Sequence, residues 1–367
     1  MSRAPDPTPA ITDSGYRRAG LNSRRSRTGG VTAAGQARGM PSPLDLFVRL
    51  RGSDRPRPVV DPGLAGGLRE WLEDSLAAPA GSIDHAAAPV RVTKDALSQV
   101  LVCEAHLVAN RAAPRRPTFE LITGTLVDVL FRQWVTAGKI DDPFEDALSA
   151  LASAGDGEAD DFLRALAGAD RKRLEQEVVR QVGLFKAHWA MPPAGAWLPR
   201  TQDAIGVPIC GGRIMLSGVV DLILGMPAKA HASTCVVEVK SGRRRLEHRA
   251  DLHFYSLLET LRSGAPPFCA ATYYAGRGDL DVEPVSEELL VASLERVITG
   301  TERLCRLAAG QPPVARPNPL CAWCEGLAGC EAGQRSTGTK VARNAAACDE
   351  PRRVVSSGRN SVREVAR

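Results

Sequence analysis

The chain has 367 residues, 44% hydrophobic and 24% charged, which suits one large soluble domain with insertions or two modest ones. No apolar run approaches the length of a membrane span, and the opening stretch MSRAPDPTPAITDSGYRRAG has no apolar h-region; a cytoplasmic protein with no membrane partner is the default expectation. The net charge of +5 lies in the ends, with 7 Arg against 2 acids over 1–40 and 8 Lys/Arg against 3 acids over 334–367, so a nucleic-acid contact in the acidic middle would need a local basic patch.

Residues 1–42 are rich in Arg, Gly, Ser, Thr and Pro without hydrophobic periodicity and read as a disordered basic tail; residues 334–367 read as a second. The segment 43–91 alternates short apolar runs with Pro and Gly breaks. Within it GGLREWLEDSLAA (66–78) predicts an amphipathic helix with Leu68, Trp71, Leu72 and Leu76 on one face. VTKDALSQVLVCEAHLVANR (92–111) predicts one continuous helix with Thr93 as N-cap and Asp95 in the first turn. Its apolar stripe runs through Leu97, Val100, Leu101 and His106/Leu107 and carries Cys103. A further helix covers 121–138, and 138–190 form a helical insertion that ends in the long amphipathic DRKRLEQEVVRQVGLFKAHW. The character then changes. GGRIMLSGVVDLILG (211–225) and TCVVEVKSG (234–242) predict neighbouring strands, 249–264 a helix with Phe254, Leu257, Leu258 and Leu261 at helical spacing, 267–276 a strand, and 286–310 a long helix. Helices followed by mixed strands with flanking helices imply an α/β core with an N-terminal helical elaboration.

Two constellations could carry chemistry. In CVVEVK, strand alternation sets Val236, Glu238 and Lys240 on one face and Val237 and Val239 on the other. That polar face suits a half-exposed edge, or a metal ion beside a cation. Asp221 lies among apolar neighbours in GVVDLIL, where an acid is costly unless paired, capped or metal-bound. A hard cation held by carboxylate oxygens polarises a phosphodiester and lowers the pKa of a bound water, and a nearby lysine stabilises the developing charge. The second constellation is Cys321-x2-Cys324-x5-Cys330 at the end of a Pro-rich coil. With a fourth ligand, for which Cys103 is a candidate, these thiols suit zinc or an iron–sulfur cluster. Of the other cysteines, 210, 235, 269 and 305 sit in apolar contexts as small buried hydrophobes, and Cys348 in the tail has no assigned role. No phosphate-binding G-x4-G-K-[ST] loop, strand-borne G-x-G-x-x-G or G-x-S-x-G elbow occurs.

GVVDLIL, then VVEVKSG, then a helix with a polar residue four before Tyr255, bracketed by Cys103 and the C-terminal cysteines, resembles the PD-(D/E)xK nuclease superfamily over about residues 92–333. It is most similar to the iron–sulfur branch, with the RecB-like and AddB-like nucleases and the CRISPR-associated adaptation exonucleases. The resemblance implies a restriction-endonuclease-like mixed sheet flanked by helices, with a C-terminal Cys-cluster segment. It implies a Mg²⁺- or Mn²⁺-dependent DNA exonuclease in repair, recombination or defence DNA processing. The metal ligands would be Asp221, Glu238 and the carbonyl of Val239, with Lys240 the catalytic lysine and Tyr255 the motif tyrosine. Cys103, Cys321, Cys324 and Cys330 would hold a [4Fe–4S] cluster, with zinc the alternative. Asp251 stands where the pattern carries Gln, and Asp128 stands where relatives carry a metal-binding His. Arg243, Arg244, Arg245 and Arg249, and the NRAAPRR run at 110–116, are candidate contacts to the phosphates of single-stranded DNA or duplex ends. A helicase would act in trans. The two departures leave open a nuclease-fold subunit that binds DNA with a decayed catalytic site.

Overall fold

The computed structural model describes residues 57–84, 87–113, 117–155, 157–189 and 198–338. The tail expected at 1–42, Arg115, Arg116 and Cys348 lie outside the described residues.

The helices expected from hydrophobic spacing form, although Trp71, expected on the apolar face of the first, is 42% exposed. Helix α1 (Leu64–Gly81) buries Leu68, Leu72 and Leu76. Strand β1 (Val90–Val92) leads through the N-cap Thr93, whose hydroxyl accepts from the Ala96 N–H, into α2 (Lys94–Val102). The continuous helix expected over 92–111 breaks at Cys103. That residue is extended (φ −164°, ψ 119°); its N–H bonds the Gln99 carbonyl, and its carbonyl starts α3 (Glu104–Ala112) by accepting from Leu107. One residue thus ends one helix and begins the next, which turns its sulfur toward the C-terminal segment. Next come α4 (Phe119–Ala137) and the predicted helical insertion, formed by α5 (Pro143–Ala154), α6 (Gly157–Ala165) and α7 (Gly168–His188).

Strands β2 (Arg200–Ile209), β3 (Ile214–Leu224) and β4 (Cys235–Lys240) precede α8 (Leu246–Ser263). Strands β5 (Cys269–Tyr274) and β6 (Asp279–Pro284) and helix α9 (Glu287–Ala308) follow. Two short 3-10 turns, Pro319–Trp323 and Leu327–Gly329, carry the Cys cluster, and helical turns continue over 331–338, into the stretch expected to be disordered.

The six strands form one mixed sheet in the order β1-β3-β4-β5-β6, with β2 also paired to β3. Helices cover both faces. One core joins α4 to α7 to Leu222, Val237, Ala271 and Tyr273. The other joins α1, α2, α8 and α9 to Val220, Ile223, Val236 and Ala270. The α/β expectation therefore holds, but the sheet has no half-exposed face at β4, where residues 235–238 are all buried. Of the four cysteines expected as buried hydrophobes, Cys235, Cys269 and Cys305 are buried and Cys210 is partly exposed. Cys210 holds a left-handed turn (φ 50°) between β2 and β3.

Two features of β3 position the site. Strand β2 takes one edge of β3 along nearly its full length. On the other edge β1 pairs in parallel with residues 214–216 and β4 pairs antiparallel with 222–224. The ends of β1 and β4 therefore approach each other across an unpaired stretch of β3, leaving a fork. The inside–outside alternation of β3 also changes phase there: Leu216 and Val220 face the second core, while Leu222 and Leu224 face the first. Asp221 lies at the change, opposite Gln202, whose backbone is left-handed (φ 50°) and which the ladder skips.

Candidate active site

The fork gathers acids and cations from four elements. Asp221 leaves the ladder where β4 diverges, so its Oδ2 accepts the Val239 N–H that β3 no longer pairs (2.8 Å). Glu238 is 1% exposed, and its Oε1 accepts from Lys240 Nζ at 2.6 Å. Asp128 comes from α4, with Arg132 Nε 3.2 Å from its Oδ2. Asp128, Asp221, Glu238 and Lys240, with Val239, Arg243, Arg245 and His248, line a groove of about 420 Å³.

The resemblance did not point to two further residues. Lys94, the first residue of α2, donates to the same Glu238 Oε1 at 2.5 Å. Gln202 extends its amide toward Asp128 Oδ2 (3.4 Å) and Asp221 Oδ1 (3.5 Å). Lys94 precedes Glu238 by 144 residues and Gln202 precedes Asp221 by 19. The only local sign was the N-cap Thr93, which fixes where α2, and so Lys94, begins.

The electrostatics follow from burial and crowding. Burial, then the charges of Glu238 and Asp128, hold the Asp221 carboxyl well above the ordinary carboxylate range. Burial raises Asp128 in the same direction, against the pull of Arg132. Glu238 moves the other way: its burial is outweighed by Lys94 and Lys240, which keep it ionised. Burial also disfavours the Lys94 ammonium, but Glu238 outweighs it and holds Lys94 above the usual lysine range. The Tyr255 phenol is raised by burial and then by Glu238.

The donor set fits a hard divalent ion. Asp128 Oδ1 and Glu238 Oε2 are buried and have no hydrogen-bond partner among the described residues, which is costly for carboxylate oxygens unless a cation takes them. As they stand, the acids are not closed around an ion: among the described residues no three His, Cys, Asp or Glu side chains form a metal-holding group.

Tyr255 lies under the site rather than in the groove. Its buried ring is 5.3 Å from Lys94 Nζ and packs against Gly218. Asp251, one turn earlier on α8, has its Oδ2 4.0 Å from Lys94 Nζ, and burial raises its carboxyl to about 6. The basic run divides: Arg243 and Arg245 line the groove, whereas Arg244 pairs with Asp281 and Arg249 with Glu283 on β6.

Cys103, Cys321, Cys324 and Cys330 line one cavity, beside His106. All four are free thiols. Three sulfurs accept backbone N–H bonds: Cys103 from Arg316 (3.3 Å), Cys321 from Asn318 (3.3 Å) and Cys330 from Gly333 (3.4 Å). Donors placed in this way would orient and support sulfur ligands of a bound metal or cluster. Gly333 packs beside the sulfurs: a Cβ there would be in ordinary contact with Cys330 Sγ (3.4 Å) and Cys321 Sγ (3.7 Å) and tight only against Leu327 Cδ1 (3.1 Å). Glu104 ties the same parts together, accepting from Arg306 and from the Val314 N–H.

No helix among the described residues is long and apolar enough to cross a membrane. No family model matches the chain, and no curated protein matches it. Among solved structures, a candidate exonuclease from Eubacterium rectale aligns with 61% of this chain and 83% of its own, at 12% identity and a TM-score of 0.38. The protein SSO0001 aligns with 73% of this chain and 98% of its own, at 15% identity and a TM-score of 0.29. Likenesses this distant leave the chemistry to be argued from the residues themselves.

Proposed function

We propose that the chain is a Mg²⁺- or Mn²⁺-dependent deoxyribonuclease that digests DNA from its ends. One observation carries this reading: three carboxylates, two of them with unpartnered buried oxygens, meet a lysine at the fork of a sheet, in a groove edged by Arg243 and Arg245. When bound there, a divalent ion would polarise the phosphodiester and supply an activated water. Asp128, Asp221 and Glu238 would hold it. Lys240, oriented by Glu238, would neutralise charge on the reacting phosphate, and the two arginines would grip the flanking backbone without reading sequence.

The four cysteines would carry a [4Fe–4S] cluster that links the start of α3 to the C-terminal segment. The four cysteines line a single cavity, which supports one shared cofactor, the cluster or, as the alternative, zinc.

The test is digestion of end-labelled single- and double-stranded DNA with Mn²⁺ or with EDTA. Lys240→Ala should lower the rate on the order of 100-fold or more without loss of fold; full activity in that variant would sink the assignment. One observation favours a second reading, a DNA-binding subunit on a nuclease scaffold: Glu238 already has two lysines on it. Wild-type protein that binds the labelled DNA but never cuts it would support that reading.

A further inference from the structure

At the fork, two ammonium groups share one oxygen of Glu238, and Asp128 faces Arg132. Both acids thus already have cations beside them. A divalent ion would add two positive charges within a few ångström, and a resident cation must then yield. Lys240 follows Glu238 on the same strand and lines only the groove. Lys94 arrives from outside the motif strands. It lines both the groove and a neighbouring cavity of about 1450 Å³, so it has room to leave. A second acceptor lies close by in Asp251 Oδ2, at 4.0 Å. Asp251 and Tyr255 are four apart on α8 and share a face beside the ammonium.

We propose that Lys94 is a positioning residue that keeps the divalent ion's place on Glu238 and passes to Asp251 when the ion binds. This rests on the metal-dependent reading above. It gives two of the residues outside the resembled pattern, Lys94 and Asp251, a joint role. In the metal-free protein Lys94 helps to offset the buried charge of Glu238. With metal present, the acid on α8 takes the lysine, and the unpartnered oxygens Asp128 Oδ1 and Glu238 Oε2 face the ion.

The test is equilibrium binding of Mn²⁺ to the full chain without nucleic acid, read by the electron paramagnetic resonance of free Mn²⁺ and by calorimetry. It is run at pH 8, where Asp251 is ionised. Lys94→Gln should bind Mn²⁺ on the order of tenfold or more tightly than wild type, because a positive charge beside the ion is gone. Lys94→Arg, which keeps the charge, should stay near wild type. Asp251→Asn should weaken binding, and that effect should vanish in a Lys94→Gln background. Equal or weaker affinity in Lys94→Gln, with binding still abolished by Asp221→Asn, overturns the proposal and leaves the metal site standing. An Asp251→Asn effect of the same size in both backgrounds overturns the transfer to Asp251. No Mn²⁺ binding by any variant overturns both the proposal and the metal-dependent reading.

Discussion

Gly218 on β3 offers a test of how closely the site depends on its floor. A Cβ at this position would lie 2.5 Å from Tyr255 Cε1 and 3.3 Å from Cδ1. Carbon atoms in contact settle about 3.5–4.0 Å apart, so Gly218→Ala must push the ring back by about 1 Å. The ring has little space to take up: Tyr255 is 2% exposed and Phe254 packs beside it, 6.1 Å between centroids. Overpacking of this kind costs about 1–3 kcal/mol. Urea unfolding should show that loss in Gly218→Ala. In a Tyr255→Ala background the clashing ring is gone, and the same substitution should cost under about 0.5 kcal/mol. An equal cost in both backgrounds would refute the argument, since it would place the strain in the backbone of β3 rather than against the ring. Because Lys94 stands over that ring, Gly218→Ala should also slow digestion of labelled DNA.

Two further outcomes follow from the site. The Asp221 carboxyl is held well above its unfolded value, so its ionisation costs the metal-free fold stability, from the unfolded pKa up to the folded one. In EDTA, Asp221→Asn should therefore melt higher than wild type at pH 8, with the gap closing toward pH 4, whereas added Mn²⁺ should raise only the wild type; a gap independent of pH would contradict the burial argument. Protein purified without oxygen should be brown and contain iron, and Cys321→Ser should lose both colour and iron; a colourless wild type with stoichiometric zinc would point to zinc instead.

Much of this was legible in the sequence because it is local. Alternation in GVVDLIL and VVEVK predicts two strands that do pair, from Leu222↔Val237 to Leu224↔Cys235. An acid embedded among apolar residues marks Asp221, and the spacing of the C-terminal cysteines marks a cavity that Cys103 does join. Tertiary structure supplied the rest. Strand β2 is punctuated by Gly206 and Pro208, which weaken its strand signal, although Ile205, Val207 and Ile209 alternate into the second core. The break at Cys103 interrupts a sequence whose local preference is continuous helix; contacts with residues some 210 positions away fix it. Lys94 reads as an ordinary first-turn lysine, where a cation opposes the helix dipole. Its partner Glu238, 144 residues on, accounts for it.

The contacts of Cys103 and Glu104 with residues 306–330 make most of the molecule a closed ring, with the groove built almost entirely from the enclosed chain. The entropy of closing such a ring grows only with the logarithm of its length, about 0.6 kcal/mol for each doubling. The helices from α5 to α7 hang within it between α4 and β2. The closure term would barely change if tens of residues were inserted between these helices, so long as their buried faces keep their places in the first core and α4 and β2 still deliver Asp128 and Gln202 to the fork. The turns between these helices, on the arc of the ring opposite its clasp, are thus where added chain costs the ring least.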